Sequence, residues 1–173
     1  VSLVNMRGRN HPQQVAKRGA LDDVDDRRTP QSFFAPLHAA RGFTVDAAAS
    51  ADNALLPMYW TRETDALVQP WRGHRVWCNP PYSSIVSWVG KAWHEMRHGG
   101  CEHVTKLLPA NRCEQGWWQE YIEHQRDGGG LVDNIRLTTR FIHRRLEFAD
   151  STGNRASHGV PFGCVLVTWE RAV

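Results

Sequence analysis

Pro80 and Pro81 restrict the fold of this chain more than any other feature of its sequence. The four residues before Asn79, Arg75-Val76-Trp77-Cys78, read as a short buried strand. A proline cannot donate to a sheet ladder, and it disfavours a helical residue in front of it, so the strand has to stop here. The product is a stiff turn at the C-terminal end of a strand, which is where open α/β sheets carry their ligand crevices. The turn Asn79-Pro80-Pro81-Tyr82 is expected to expose three groups together: the Asn79 side-chain carbonyl, the Pro80 main-chain carbonyl and the Tyr82 ring. Two carbonyls can accept both hydrogens of a planar amino group and so direct its nitrogen lone pair at an electrophile, while an aromatic ring stacks on the base that carries the amine. A base inside a duplex has to be flipped out first, at a cost of about a few kcal/mol. An ordinary strand-capping turn has the same four letters, so the flanking sequence has to decide between the two readings.

A chain of 173 residues, 41% hydrophobic and with eight Trp, can build one domain with a sizeable core. No apolar run approaches a membrane span. The stretch Val1-Ser2-Leu3-Val4-Asn5-Met6-Arg7 lacks the charged start and long apolar core of a signal peptide, and the expected location is the cytoplasm. The four cysteines, Cys78, Cys101, Cys113 and Cys164, form no CxxC pair, and three of them read as core residues rather than disulfide partners. His94 and His98 lie four apart on a predicted helix, but no third ligand joins them, so they read as a solvated face and no metal site is expected. Net charge is only +3, yet Arg136, Arg140, Arg144 and Arg145 fall close together with His143. Such a cluster can neutralise phosphates, and it can equally be a solvated strand surface.

Residues 1–26 are polar and aperiodic, and end in Asp22-Asp23-Val24-Asp25-Asp26; they read as a flexible leader to a domain spanning 27–173. Thr29 is expected to cap a helix that starts at Pro30, carries Phe33, Phe34 and Leu37, is kinked or shortened by Pro36 and ends at Gly42. Phe43-Thr44-Val45 predicts a strand ending at Asp46, followed by the small residues Ala47 to Ala51, where a backbone or ligand can approach closely. Met58-Tyr59-Trp60 is a further short strand candidate. The stretch between Asp46 and Asn79 is too short for full βαβ units, which predicts a trimmed sheet. Ile85, Val86, Trp88, Val89, Ala92, Trp93 and Met96 recur at helical spacing, with Ser83 or Ser84 as cap and Gly99-Gly100 as stop. A strand at His103–Leu108, a helix at Glu114–His124, strands at Asn134–Thr138 and Phe141–Phe148, a polar loop at Asp150–Gly159 and a strand at Val160–Trp169 complete the pattern. Alternation first and strands last favour an α/β sheet with an antiparallel end.

The ordered series resembles the phage-type DNA N6-adenine methyltransferases, the Dam-like family of phages and prophages. It runs from Arg28-Thr29-Pro30-Gln31 through Gly42-Phe43-Thr44-Val45-Asp46-Ala47-Ala48-Ala49-Ser50, Asp65-Ala66-Leu67 with Trp71, and Val76 to Tyr82. It continues with Leu107-Leu108-Pro109-Ala110, Arg144-Arg145-Leu146-Glu147-Phe148 and Pro161-Phe162, so it spans nearly the whole chain. The resemblance implies a compact Rossmann-like S-adenosylmethionine-dependent methyltransferase fold with a mixed sheet, S-adenosylmethionine as methyl donor and DNA adenine as acceptor. By the same match, Asn79, Pro80 and Tyr82 hold and stack the target adenine and Pro81 shapes the turn. Thr29, Pro30, Asp46 and Ala47 lie against the cofactor, and Asp65 contacts either cofactor or target base. The glycine-rich FxGxG loop usual after the first strand of methyltransferases is absent. Arg136, Arg140, Arg144 and Arg145, with the loop from Asp150 to His158, are the expected DNA contacts.

Two other functions suit the same turn. One is methylation of an exocyclic guanine amine in RNA or of a glutamine amide in protein, since any planar amino acceptor presents the same problem. The other is a non-catalytic nucleic-acid-binding remnant, which the altered loop after Asp46 allows. A generic α/β structural module with an incidental turn would leave the whole ordered series to chance.

Overall fold

A computed structural model describes residues 27–127, 131–149 and 162–172. The expected leader and the polar loop at Asp150–Gly159 lie outside the described residues. One six-stranded sheet organises the rest, in the order β1-β2-β3-β6-β5-β4, where β1 is Val45–Asp46, β2 Arg75–Cys78, β3 His103–Pro109, β4 Leu131–Val132, β5 Ile135–Phe141 and β6 Cys164–Arg171. The first three strands are parallel, and β6, β5 and β4 join antiparallel, so the expected mixed sheet with an antiparallel end is what forms. No helix stands between β1 and β2, as the short spacing predicted.

Helix α1 (Gln31–Arg41) covers one face of the sheet. Phe34 drives this packing, with its ring 5.3 Å from that of Trp77 and 5.9 Å from that of Phe43. On the other face lie α2 (Ile85–His94), running on through a widened turn at Glu95–Gly99, and a second helical stretch. That stretch comprises α3 (Gly116–Trp118), a widened turn at Gln119–Glu123 and α4 (His124–Asp127). All seven residues of β3 are buried, as the centre of a sheet covered on both faces requires. One of them is Lys106, whose ammonium lies 5.1 Å from the Trp71 ring centroid and 5.2 Å from that of Trp88. Burial holds the Lys106 pKa below its ordinary value.

Several sequence expectations change in detail. Pro30, not Thr29, is the N-cap of α1, and its carbonyl accepts from the amides of Phe33 and Phe34. Pro36 sits inside α1 without shortening it, and Gly42, at φ +62°, closes the helix in the left-handed region that glycine enters freely. Met58–Trp60 contributes a parallel bridge between Tyr59 and Asp46 rather than a strand. Phe141–Phe148 is not a strand: β5 is one continuous strand over Ile135–Phe141, and the chain after it turns irregular, with Arg144 at φ +66°. A hairpin lies upstream, where Asp133 and Asn134, at φ +51° and +59°, join β4 to β5 in the two-residue geometry that matches strand twist. The last strand begins at Cys164, after the expected start at Val160. Cys78, Cys101 and Cys164 are buried and Cys113 is exposed, all as free thiols.

Candidate active site

The C-terminal ends of β1 and β2 and the segment Arg27–Thr29 border a small, half-open hollow. Arg27, Arg28, Thr29, Asp46, Ala48, Asn53, Leu55, Trp77 and Asn79 line it. Each side is built for a local reason. β2 ends where the prolines end it, which puts Asn79 at the rim. β1 ends at Asp46, whose carboxylate accepts from the amides of Ala48 (3.4 Å) and Leu55 (3.2 Å) and thereby folds the loop of small residues back on itself. Burial pushes the Asp46 pKa up to about 6, against the pull of those two amides. The third side is a strap. Arg28 pairs with Ala149 through two backbone hydrogen bonds, and its Nη1 donates to the Asp52 carbonyl at 3.1 Å.

The strap also determines the state of the turn. Asn79 Nδ2 donates to the Arg27 carbonyl at 2.6 Å and to Thr29 Oγ1 at 3.2 Å. Asn79 Oδ1 is buried and has no hydrogen-bond partner among the described residues. Arg27 places its guanidinium 5.3 Å from the Tyr82 ring centroid and 5.0 Å from that of Phe162, and these two rings stand 6.0 Å apart. The turn is therefore not open to solvent as its sequence suggested. Pro80 is buried, and Tyr82 is only 5% exposed. The Tyr82 hydroxyl lies 3.5 Å from the Leu107 carbonyl, and burial raises its phenol well above its ordinary pKa. The expectation failed because the covering group, Arg27, is far from the turn in sequence.

The other expected residues divide. Thr29, Asp46 and Asn79 come together around the hollow, with Pro30 next to Thr29 and Ala47 between Asp46 and Ala48. Asp65 is not among the residues that line it. Asp65 instead stands at φ +47°, with its carboxylate accepting the Leu67 amide at 2.9 Å. Arg136 and Arg140 share the exposed face of β5, while Arg144 and Arg145 are exposed beyond its end. Strand register separates the first of these from the rest. Arg136 pairs across β6 towards His103, at the start of β3, whereas Arg140 pairs towards Leu107 near its end. The end of β3 is also the end of β2, because the two are parallel, so Arg140, Arg144 and Arg145 belong to the Asn79 end of the sheet. Arg136 does not. The contacts of Arg27 and Phe162 escaped the sequence reading. Phe162 was visible only as part of Pro161-Phe162, and nothing in the spacing of Arg27 pointed to Tyr82.

Among the described residues, no group of three or more candidate ligands gathers for a metal, and no helix is long and apolar enough to cross a membrane. The His94 and His98 rings stand 5.6 Å apart.

Three similarities bear on this geometry. The crystal structure of a Pyrococcus horikoshii protein described as an RNA methyltransferase superposes with a TM-score of 0.53. The match covers 93% of this chain and 96% of that one at 12% identity, so it is a likeness of fold. A DNA N-6-adenine-methyltransferase of Escherichia phage T1 is 35% identical over 144 residues; the match takes in 80% of this chain and 59% of the phage protein's length. The sequence pattern of the DNA N-6-adenine-methyltransferase (Dam) family matches residues 19–172, beginning within the stretch expected to be a leader. With nearly its whole length matched and the Asn79 turn at the end of a parallel strand, the chain belongs to the DNA N-6-adenine-methyltransferase (Dam) family.

Proposed function

We propose that this chain transfers a methyl group from S-adenosylmethionine to the N6 amino group of adenine in DNA. One observation carries the reading. The nitrogen of the Asn79 amide is committed to the strap, which leaves Oδ1 as a buried acceptor with no partner among the described residues, at the rim of a hollow. A buried acceptor left unpaired costs about 1–3 kcal/mol, and a substrate amine recovers that cost on binding.

The hollow suits the proposed donor in chemistry. Arg27 and Arg28 are cations that can face a carboxylate, Asp46 can face hydroxyl or cationic groups, and the small side chain of Ala48 permits close approach. The hollow is far smaller than an ordinary small-molecule pocket, so it takes only part of the donor. Pro30, Asp46 and Ala47 are the residues that would hold the donor; Thr29, whose hydroxyl is turned to Asn79, and Asp65 have no part in holding it. S-adenosylmethionine supplies a methyl group already activated on a sulfonium.

The chain then has to orient, exclude water and tolerate charge. Asn79 Oδ1 and the Pro80 carbonyl accept the two N6 hydrogens, which aims the nitrogen lone pair along the axis of transfer. Such alignment supplies about 7–11 kcal/mol of barrier reduction. As the nitrogen–carbon bond forms and the carbon–sulfur bond breaks, both carbonyls steady the positive charge on N6, and the surplus proton passes to water. Tyr82 stacks on the adenine only when Arg27 leaves its ring. A cation–π contact is worth about 0.5–2 kcal/mol. A base stacked on an aromatic ring is worth about 1–3 kcal/mol, so the exchange is near balance and the phosphates that draw Arg27 outwards can tip it.

The test offers labelled S-adenosylmethionine to the purified protein with unmodified DNA, RNA and a protein extract in parallel. Label in DNA that maps to N6-methyladenine supports the reading; label confined to RNA or protein, or none, refutes it.

A further inference from the structure

We propose that Thr29 is a positioning residue for Asn79, whose hydroxyl, together with the Arg27 carbonyl, fixes which edge of the Asn79 amide meets the substrate. This rests on the function proposed above and adds a residue to it. Thr29 was expected to cap α1 or to touch the cofactor. The cap is Pro30 instead, and Thr29 Oγ1 accepts from Asn79 Nδ2 at 3.2 Å.

The chemistry of the partners decides the orientation. A main-chain carbonyl can only accept, so the atom 2.6 Å from the Arg27 carbonyl has to be the amide nitrogen. Rotating the amide by half a turn would set Oδ1 against that carbonyl, acceptor to acceptor. The Arg27 carbonyl and the Thr29 hydroxyl together occupy both amide hydrogens, and Oδ1 remains as the only free edge. Thr29 is itself buried, at 9% exposure, between two anchored neighbours. Arg28 is bonded to Ala149, and Pro30 opens α1. The strap thus has no slack with which to release the amide. An Asn79 free to flip would present two donors to an amino group for half of its time and repel the substrate it is meant to receive.

The experiment compares Thr29→Val and Thr29→Ser with the unmutated enzyme in steady-state methylation of DNA. Thr29→Val keeps the shape and removes the hydroxyl. It should lower kcat by about three- to tenfold, the usual weight of one hydrogen bond, and leave KM for S-adenosylmethionine unchanged. Thr29→Ser should restore the rate. An undiminished kcat in Thr29→Val overturns the proposal. So does a raised KM for S-adenosylmethionine at unchanged kcat, which would make Thr29 a cofactor contact. A second measurement needs neither turnover nor substitution of Thr29. In the unmutated protein, the Asn79 side-chain amide hydrogens, identified by their absence from the spectrum of Asn79→Ser, should exchange with deuterium slowly. Exchange as fast as that of an exposed asparagine overturns the proposal even if Thr29→Val does not fold. Should the unmutated protein methylate no DNA, the function fails while the exchange measurement still judges the amide.

Discussion

Tyr82 and Asp46 show how one residue's surroundings redirect what its type suggests. The Tyr82 hydroxyl reaches the Leu107 carbonyl at a long 3.5 Å and the Cys164 thiol, both inside the core, whereas its ring face is what Arg27 covers. Stacking should therefore dominate. Tyr82→Phe is expected to keep DNA methylation within about threefold and Tyr82→Ala to lose about a hundredfold, since base–aromatic stacking is worth about 1–3 kcal/mol. Equal losses in the two variants would assign the role to the hydroxyl. Asp46 gives a prediction in pH. Its carboxyl, raised to about 6 by burial, is charged at neutral pH and becomes neutral as pH falls through 6. If it faces the donor, the Kd for S-adenosylmethionine should rise on acidification below about pH 6 in the unmutated protein. Asp46→Asn, which carries no charge at any pH, should bind weakly with no such step. A Kd that is flat from pH 5 to 8 in the unmutated protein would remove Asp46 from the cofactor site. The identities of Asn79, Asp46 and Thr29 were legible in the sequence because each sits at the end of an element that its neighbours terminate. What Thr29 and Tyr82 touch was not legible, because both partners lie some fifty residues away along the chain and meet only when α1 docks on the sheet.

Elements were readable wherever local chemistry and tertiary packing agreed. β2 and α2 follow directly from the prolines and from the helical spacing of Trp88, Ala92 and Met96. Agreement was missing around β5, where the arginines and β-branched residues of 135–148 permit several strand breaks. Pairing with β6 over Ile135–Phe141 decides among them, and no local signal in the sequence carries that pairing. The end of α2 illustrates a constraint that glycine alone meets. Glu95 is buried, with Oε2 accepting the Trp71 amide at 3.0 Å and Oε1 paired to Lys91 at 2.7 Å. Burial acts to raise its pKa, but these bonds outweigh it and hold the group below its ordinary value. A Cβ on Gly99 would run into that carboxylate. Gly99→Ala is therefore expected to cost about 1–3 kcal/mol by leaving the buried Trp71 amide unpaired. In a Glu95→Ala background the same substitution should cost almost nothing, and a double-mutant cycle by denaturant unfolding reads the difference. Additive losses would mean that Gly99 is retained for some reason other than Glu95.

At the scale of the whole molecule, strand direction determines which surfaces can act together. The parallel half of the sheet places the ends of β1, β2 and β3 on one side, and the antiparallel half sends β5 towards that same side, since two successive reversals restore its direction. The four arginines that look like one cluster in sequence are consequently split. Arg136 and Arg140 are four residues apart on an extended strand, about 13 Å, and only Arg140 approaches the Asn79 end. A duplex whose adenine meets Asn79 would pass over Arg140, Arg144 and Arg145, which continue from that end of β5 as an exposed run, while Arg136 lies on the same face but towards the opposite end of the strand. Phosphate contacts release counterions, so each one lost should lower the slope of log affinity against log salt by about one. Arg140→Glu is accordingly expected to weaken DNA binding and flatten its salt dependence, and Arg136→Glu to leave both nearly unchanged, as measured by titrating one duplex at several salt concentrations. Equal effects at the two positions would mean that the DNA runs along β5 rather than across its end, and the hollow at Asn79 would then lie off the path of the duplex.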